Sequence, residues 1–176
     1  MGKGSCFSVF LPASSQPAEI VEAKQSQATP GEGRVLIMDD EREIREALGE
    51  LLEELGYEAA GASDGEAALS QYRQSMQEKR RFDAVIMDLT IPGGMGGKEA
   101  IGWLLEIDPQ ACAVVYSGYS KDPVLASFRD YGFRAMLAKP FQLDQIAEIL
   151  ANLVASPKRN PLKNSSGGDP RSISAQ

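Results

Sequence analysis

Short apolar segments alternate with amphipathic segments five times between residues 34 and 155. Apolar runs bounded by turn signals are typical of buried strands, and apolar positions that recur roughly every three or four residues predict helices that bury one face. The predicted strands cover 35–38, 57–62, a central run that ends at Asp88, 111–116 and 135–138. A predicted helix follows each of them, so the pattern indicates five strand–helix units.

Capping residues, glycine and proline mark the ends of the predicted helices. The first helix ends before Gly56, and Asp64 is expected to cap the second. The third is predicted over 98–107, the fourth over 123–131 and the fifth from about Leu143. Strands that alternate with such helices favour right-handed crossovers and a parallel sheet. The predicted fold is α/β, a doubly wound, flavodoxin-like five-stranded parallel sheet with helices on both faces.

Composition changes on both sides of this segment. Residues 1–12 predict a glycine-rich turn and one short strand, and a lone strand is not stable by itself. Residues 13–33 are rich in Ser, Gln, Ala and Glu without an apolar period, which is typical of a flexible linker. Residues 156–176 combine proline, Ser, Gly and isolated charges, which predicts a disordered tail. The compact domain is therefore predicted over 34–155.

Charge and composition exclude several classes of protein. A net charge of −7, without a basic cluster in the predicted domain, argues against nucleic-acid binding. The sequence has no histidine, which excludes histidine-based zinc sites, Ser-His-Asp hydrolysis and a phosphohistidine carrier in this chain. No run approaches the roughly 18 consecutive apolar residues that span a bilayer, and no signal-peptide pattern is present. We therefore expect a cytoplasmic protein without direct membrane contact.

Ionisable or hydroxyl side chains follow four of the five predicted strands. They are Asp39, Asp40, Asp88, Ser117 and Lys139. Because the carboxyl ends of parallel strands meet at one edge of a sheet, these groups are expected to converge. Clustered carboxylates repel one another unless a cation intervenes, and Mg²⁺ is a hard cation that prefers oxygen ligands. Taken alone, Asp88 fits a turn cap equally well.

Such a cluster can transfer a phosphoryl group to a carboxylate. A carboxylate can attack phosphorus and become an acyl phosphate, while a metal and a fixed ammonium neutralise the transferred oxygens. The predicted roles are Asp88 as nucleophile, Asp39 and Asp40 as metal ligands, Lys139 as the ammonium and Ser117 as a hydroxyl donor.

Residues 34 to about 154 resemble the receiver domain of two-component response regulators. The resemblance rests on Asp39-Asp40, Asp88, Ser117-Gly118 and Lys139-Pro140-Phe141 at successive strand ends. It implies that a kinase phosphohistidine phosphorylates Asp88, with Mg²⁺ bound by the acidic pair, Asp88 and the main-chain carbonyl of Thr90. It also implies a cis peptide bond between Lys139 and Pro140.

One position departs from the family pattern. The usual Tyr or Phe three residues before Lys139 is Met136, so the aromatic switch that follows Ser117 on phosphorylation cannot operate in the usual way. We expect Ser117 and Met136 to form the switch region in this chain. Phe133 and Tyr119 are the nearest aromatic substitutes.

Residues 1–12 resemble the closing segment of a histidine-kinase ATP-binding domain, where a Gly-x-Gly-Ser/Thr-x-Phe turn precedes the last strand. An expression-derived leader is the alternative. The resemblance implies that the chain is the C-terminal receiver of a hybrid sensor histidine kinase. The fragment itself is then a phospho-acceptor with at most slow autodephosphorylation, and only its parent chain is an enzyme.

Protein contacts are expected to carry the response. The implied partners are a histidine kinase or a phosphotransfer domain, and the implied contact surface covers residues 123–154. We expect a monomer or a weak dimer.

The predicted site residues allow three functions. The leading hypothesis is a receiver that relays or withdraws phosphoryl groups. The second is a docking module that acts independently of phosphorylation, and Met136 motivates it. The third is a phosphatase of the haloacid dehalogenase type, which requires a second aspartate two residues after the nucleophile as general acid. Thr90 stands at that position, which argues against sustained turnover.

Overall fold

The computed structural model of the chain describes residues 8, 10, 31–118, 123–140 and 142–154. Most of the predicted kinase remnant over 1–12, most of the linker over 13–33 and the tail over 156–176 lie outside these residues, as do Tyr119 and Phe141. The domain boundaries that depend on these segments stay predictions.

Five strands alternate with five helices in the described part of the chain. They are β1 Arg34–Met38, α1 Arg42–Glu54, β2 Glu58–Ala62, α2 Gly65–Gln77, β3 Ala84–Asp88, α3 Gly97–Ile107, β4 Ala113–Ser117, α4 Pro123–Ala126, β5 Ala135–Ala138 and α5 Leu143–Val154. The strand order is β2-β1-β3-β4-β5, and every neighbouring pair is parallel. The predicted doubly wound sheet is confirmed. None of these described helices combines the length and apolar character needed to cross a bilayer.

The three central strands, β1, β3 and β4, bury both of their faces, in two separate cores. Helices α2, α3 and α4 cover one face, where they pack against Leu36, Met38, Val85, Met87, Ala113 and Val115. Helices α1 and α5 cover the other face, where they pack against Val35, Ile37, Ala84, Ile86, Val114, Tyr116 and Leu137. Because both faces are buried, each central strand appears in the sequence as a continuous apolar run.

Helix α4 is shorter than predicted. It spans Pro123–Ala126, whereas the sequence predicts a helix over 123–131. After it, the Ser127 N–H donates to the Val124 carbonyl at 3.3 Å and the Asp130 N–H donates to the Ser127 carbonyl at 2.9 Å. These three-residue steps belong to successive turns, because an α-helix bonds four residues back. The prediction of helix beyond residue 126 is wrong, since turns and short helices share the same local apolar spacing.

Three local predictions are confirmed. The Asp64 side chain caps α2, because its Oδ1 accepts from the Ala67 N–H at 2.9 Å. Gly56 follows α1 with a φ of 90°, a conformation that favours glycine. The peptide bond between Lys139 and Pro140 is cis.

Candidate functional site

Three carboxylates and one ammonium group meet at the carboxyl edge of the sheet. Asp39 follows β1, Asp88 ends β3 and Lys139 follows β5. Carboxylate oxygens of Asp39, Asp40 and Asp88 lie within 4.8 Å of one another. The pairing of β1 with β3 aligns the residues just before Asp39 and Asp88, which explains why the two side chains meet. The convergence predicted for these four residues is present.

The ammonium of Lys139 bridges two of the carboxylates. Its Nζ donates to Asp88 Oδ2 at 2.9 Å and to Asp39 Oδ2 at 3.2 Å. The backbone of Lys139 is anchored to β4, because its N–H donates to the Ser117 carbonyl at 2.9 Å. A positive charge is therefore held directly beside the predicted nucleophile, where it can neutralise phosphoryl oxygens.

Asp39 is fully buried and engaged on both of its oxygens. Its Oδ1 accepts from the Glu41 N–H at 2.7 Å. Its Oδ2 accepts from the Tyr116 hydroxyl as well as from Lys139. A buried carboxylate is stable only when it is paired and hydrogen-bonded, and Asp39 meets both conditions. It has a single well-defined orientation as a result.

Asp88 combines burial with opposing charges. Only 9% of its surface is exposed, and its Oδ1 accepts from the Thr90 N–H at 3.2 Å. Burial raises the pKa of Asp88 above its ordinary value, although the Lys139 ammonium and the Thr90 N–H act in the opposite direction. For Lys139, burial lowers the pKa, but the hydrogen bonds and charges of Asp88 and Asp39 together outweigh the effect of burial, and the pKa is raised overall. Lys139 is therefore charged at neutral pH.

The donor set fits a hard divalent cation. Asp40 is exposed whereas Asp39 and Asp88 are buried, so solvent, and with it a cation, reaches the cluster at Asp40. Three carboxylates supply the charge and the oxygen ligands that Mg²⁺ prefers, and Mg²⁺ keeps several waters in such sites. Thr90 is also exposed, two residues after Asp88. The metal-binding role of its carbonyl stays a prediction.

Ser117 and Met136 share one face of the sheet. Ser117 is buried at the end of β4, one residue after Tyr116, which is aligned with Asp88. Met136 is aligned with Val115, two residues before Ser117, and packs against the core on the side of α2, α3 and α4. Since strand side chains alternate between faces, Ser117 and Met136 lie on the same side. Phe133 is buried in that same core.

Sequence reasoning missed two residues of the site, Tyr116 and Arg45. Burial and the bond to Asp39 raise the pKa of Tyr116, so its hydroxyl stays a donor. Arg45 Nη1 donates to the main-chain carbonyls of Asp39 at 2.7 Å and Asp40 at 3.0 Å. Tyr116 is aligned with Asp88 across β3 and β4, a register that only the folded sheet reveals. In the sequence, Tyr116 is one more residue of an apolar run.

The loop after Asp88 meets the helix that follows it in close contact. A Cβ at Gly97 would lie 2.6 Å from the main-chain oxygen of Asp88, and a Cβ at Gly96 would lie 2.5 Å from that of Leu89. Both distances are too short for a side chain of any kind. The start of α3 is therefore packed directly on the backbone of the predicted nucleophile.

Comparison with known proteins gives one family match. The model described as "Response regulator receiver domain" matches residues 35–151. A response regulator receiver protein of Anaeromyxobacter sp. (strain Fw109-5) is 40% identical over 116 residues, which cover 66% of this chain and 46% of that protein. The chain therefore spans less than half the length of this relative.

Two further similarities bear on the site and on its setting. The response regulator TrrA of Thermotoga maritima, crystallised in complex with Mg²⁺ and BeF, superposes with a TM-score of 0.59 at 30% identity, covering 69% of this chain and 98% of that one. The sensor kinase CckA of Brucella abortus is 30% identical over 166 residues, which cover 88% of this chain and 17% of that kinase.

Proposed function

The chain belongs to the response regulator receiver family, and from this premise we propose that Asp88 accepts a phosphoryl group from the phosphohistidine of a histidine kinase or phosphotransfer domain. Receiver domains of two-component systems are phospho-acceptors, so the proposal concerns which residues of this chain perform that role. The bridge from Lys139 to Asp39 and Asp88 is the observation that carries it.

The proposed transfer uses groups that are already in place. A carboxylate oxygen of Asp88 attacks phosphorus, and the bond from phosphorus to the donor imidazole nitrogen breaks with its electron pair returning to that nitrogen. The product is an acyl phosphate on Asp88. Lys139 lies 2.9 Å from Asp88 before transfer, so its charge meets the incoming phosphoryl oxygens without rearrangement of the site.

We assign the metal site to Mg²⁺, held by Asp39, Asp40 and Asp88 with the carbonyl of Thr90. The clustered carboxylate oxygens support this assignment, since no other oxygen-rich cluster of three such residues occurs among the described residues. When bound, the cation neutralises charge that builds up on the transferred phosphoryl group. The neighbour TrrA was crystallised with Mg²⁺ and BeF, which is consistent with the assignment.

The phosphorylated state is proposed to act through Ser117 and Met136. The hydroxyl of Ser117 donates to a phosphoryl oxygen, and Met136 repacks on the same face of the sheet. A thioether has three rotatable bonds and adapts its shape to a changed neighbour, so it can replace an aromatic side chain by repacking. The contact surface for partners is proposed to cover residues 123–154.

The parent protein is proposed to be a hybrid sensor histidine kinase in the cytoplasm or anchored to a membrane. A match to sensor kinase CckA, which covers 88% of this chain and 17% of that kinase, supports this context.

A small phosphodonor tests the proposed acceptor. We expect acetyl phosphate with Mg²⁺ to add one phosphoryl group to the wild-type chain, measured by intact mass, and none to Asp88→Asn. The matched control is Asp130→Asn, which removes an exposed aspartate outside the site and should phosphorylate like the wild type. A wild-type chain that stays unmodified, or an Asp88→Asn chain that is modified equally, contradicts the proposal.

Docking independent of phosphorylation is the second candidate, and the partly buried Met136 favours it, because no aromatic side chain occupies that position. Binding of a cognate kinase or phosphotransfer domain separates the two functions. The relay predicts different affinities for the phosphorylated and unphosphorylated wild type. Docking alone predicts that the phosphorylated wild type, the unphosphorylated wild type and Asp88→Asn all bind the partner with the same affinity.

A further inference from the structure

Tyr116 contacts two functional groups of the site with two different parts of its side chain. Its hydroxyl donates to Asp39 Oδ2, and Lys139 Nζ lies over its ring, 4.4 Å from the ring centroid. We propose that Tyr116 is a positioning residue of the phosphorylation site, whose hydroxyl orients Asp39 for Mg²⁺ and whose ring holds Lys139 beside Asp88. The inference rests on the proposed function and assigns a role within it.

The hydroxyl acts on Asp39. Tyr116 is fully buried, and a buried phenol hydroxyl requires a hydrogen-bond partner. Asp39 supplies it on Oδ2, while the Glu41 N–H holds Oδ1 at 2.7 Å. Both oxygens of the Asp39 carboxylate are therefore held by hydrogen bonds. Carboxylates that bind metals are usually oriented by such outer partners. Without the hydroxyl, Oδ2 keeps only Lys139 and gains freedom to rotate.

The ring acts on Lys139. A cation over an aromatic face is attracted by the quadrupole of the ring, and the attraction is larger where water is excluded. The ion pair between Lys139 and Asp88 changes on transfer, because the negative charge moves from the carboxylate to the phosphoryl oxygens of the acyl phosphate. The attraction to the Tyr116 ring does not depend on that charge. It therefore keeps the ammonium in place before and after transfer.

The chain contains a matched control in Tyr72. This tyrosine is also buried, and its hydroxyl also donates to an aspartate, Asp108 Oδ2, at 3.0 Å. Asp108 follows α3 and precedes β4, so the pair lies at the amino edge of the sheet, away from the site. Tyr72→Phe and Tyr116→Phe both remove one buried hydroxyl bonded to a carboxylate. Only the second removes it from the site.

Calorimetric titration with MgCl₂ tests the hydroxyl. We expect Tyr116→Phe to weaken Mg²⁺ binding about tenfold, the lower end of the usual effect of losing an outer partner. Tyr72→Phe should bind Mg²⁺ like the wild type, although urea unfolding should show that both variants lose stability. Equal Mg²⁺ affinities for the two variants, or tighter binding by Tyr116→Phe, overturn the inference.

Beryllofluoride at saturating MgCl₂ tests the ring. Tyr116→Leu removes ring and hydroxyl, whereas Tyr116→Phe keeps the ring, so Tyr116→Leu should bind beryllofluoride about fivefold more weakly than Tyr116→Phe. Equal affinities overturn the role of the ring. If Tyr116→Leu does not fold, Tyr116→Phe against Tyr72→Phe still decides the role of the hydroxyl. A wild-type chain that binds neither Mg²⁺ nor beryllofluoride refutes the proposed function itself, which distinguishes the two failures.

Discussion

At the scale of single residues, burial and charge pairing act on Asp88 in opposite directions. Burial has the larger effect and raises its pKa, while the Lys139 ammonium at 2.9 Å and the Thr90 N–H stabilise the charged form. The site therefore holds a carboxylate in a place that disfavours its charge. Carboxylates whose pKa is shifted by burial and by charged neighbours are common at functional sites, which agrees with the proposed role of Asp88 as phospho-acceptor.

Replacement of Asp88 by asparagine should change the pH dependence of stability. A carboxyl group whose pKa is raised in the folded state takes up protons on folding, so its contribution to the free energy of unfolding falls as pH rises from the ordinary Asp value through the raised value. Asn carries no such proton. Without Mg²⁺, we expect the stability of Asp88→Asn relative to the wild type to increase as the pH rises from about pH 4, the ordinary value for Asp, towards neutral pH.

Urea unfolding across this range measures the difference, with Asp130→Asn as the control for loss of an exposed aspartate. A constant difference between Asp88→Asn and the wild type, or one that shrinks towards neutral pH, would contradict the raised pKa.

At the scale of elements, the junction between β3 and α3 positions Asp88, the proposed nucleophile. β3 ends at Asp88, and α3 begins at Gly97, whose backbone packs against the Asp88 carbonyl. Glycine is required at position 97, because the Asp88 backbone lies too close to leave room for a Cβ. The end of β4, the neighbouring strand, also positions residues of the site. Tyr116 and Ser117 are consecutive there, so their side chains project from opposite faces of the sheet.

Gly97→Ala should disturb this junction. Its Cβ would lie 2.6 Å from a backbone oxygen, which a side-chain rotation cannot relieve. We expect a loss of about 1–3 kcal/mol in the free energy of unfolding, as for other overpacked sites, together with weaker beryllofluoride binding.

Gly102→Ala is the matched control in the same helix, because nothing lies within 4 Å of a Cβ there. That substitution should add up to about 1 kcal/mol through helix propensity. Chemical unfolding measures the free energy of unfolding of both variants. A Gly97→Ala protein as stable as the wild type would contradict the prediction, because it would show that the backbone at this junction shifts at little cost.

At the scale of the whole molecule, the site joins residues that are 100 positions apart, as the bond from Lys139 to Asp39 shows. These residues come together only when the sheet is complete. A ligand that binds the assembled site therefore binds the folded state and not the unfolded chain, and it stabilises the whole fold by mass action.

Mg²⁺ should consequently raise the free energy of unfolding of the wild type by about 1.4 kcal/mol at a concentration ten times its dissociation constant. Asp40→Asn should lose this gain, because Asp40 belongs to the carboxylate cluster. The variant should otherwise fold normally, since Asp40 is exposed and such substitutions usually change stability by less than about 0.5 kcal/mol. Thermal unfolding with and without MgCl₂ measures both effects, and an equal Mg²⁺ gain in the two proteins would exclude Asp40 as a ligand.

The residue order along the chain is sufficient to specify the α/β class, the five strands and the convergence of Asp39, Asp40, Asp88 and Lys139, because periodicity and strand ends are local properties. Local patterns failed at the end of α4, where turns replace the predicted helix. The tertiary structure alone decided how the converging groups are bonded. Tyr116 is an ordinary apolar strand residue until β3 and β4 pair and α1 and α5 close one core, and only then does its hydroxyl meet Asp39. Register and contact across the sheet depend on segments far apart in the chain, and no local pattern contains that information.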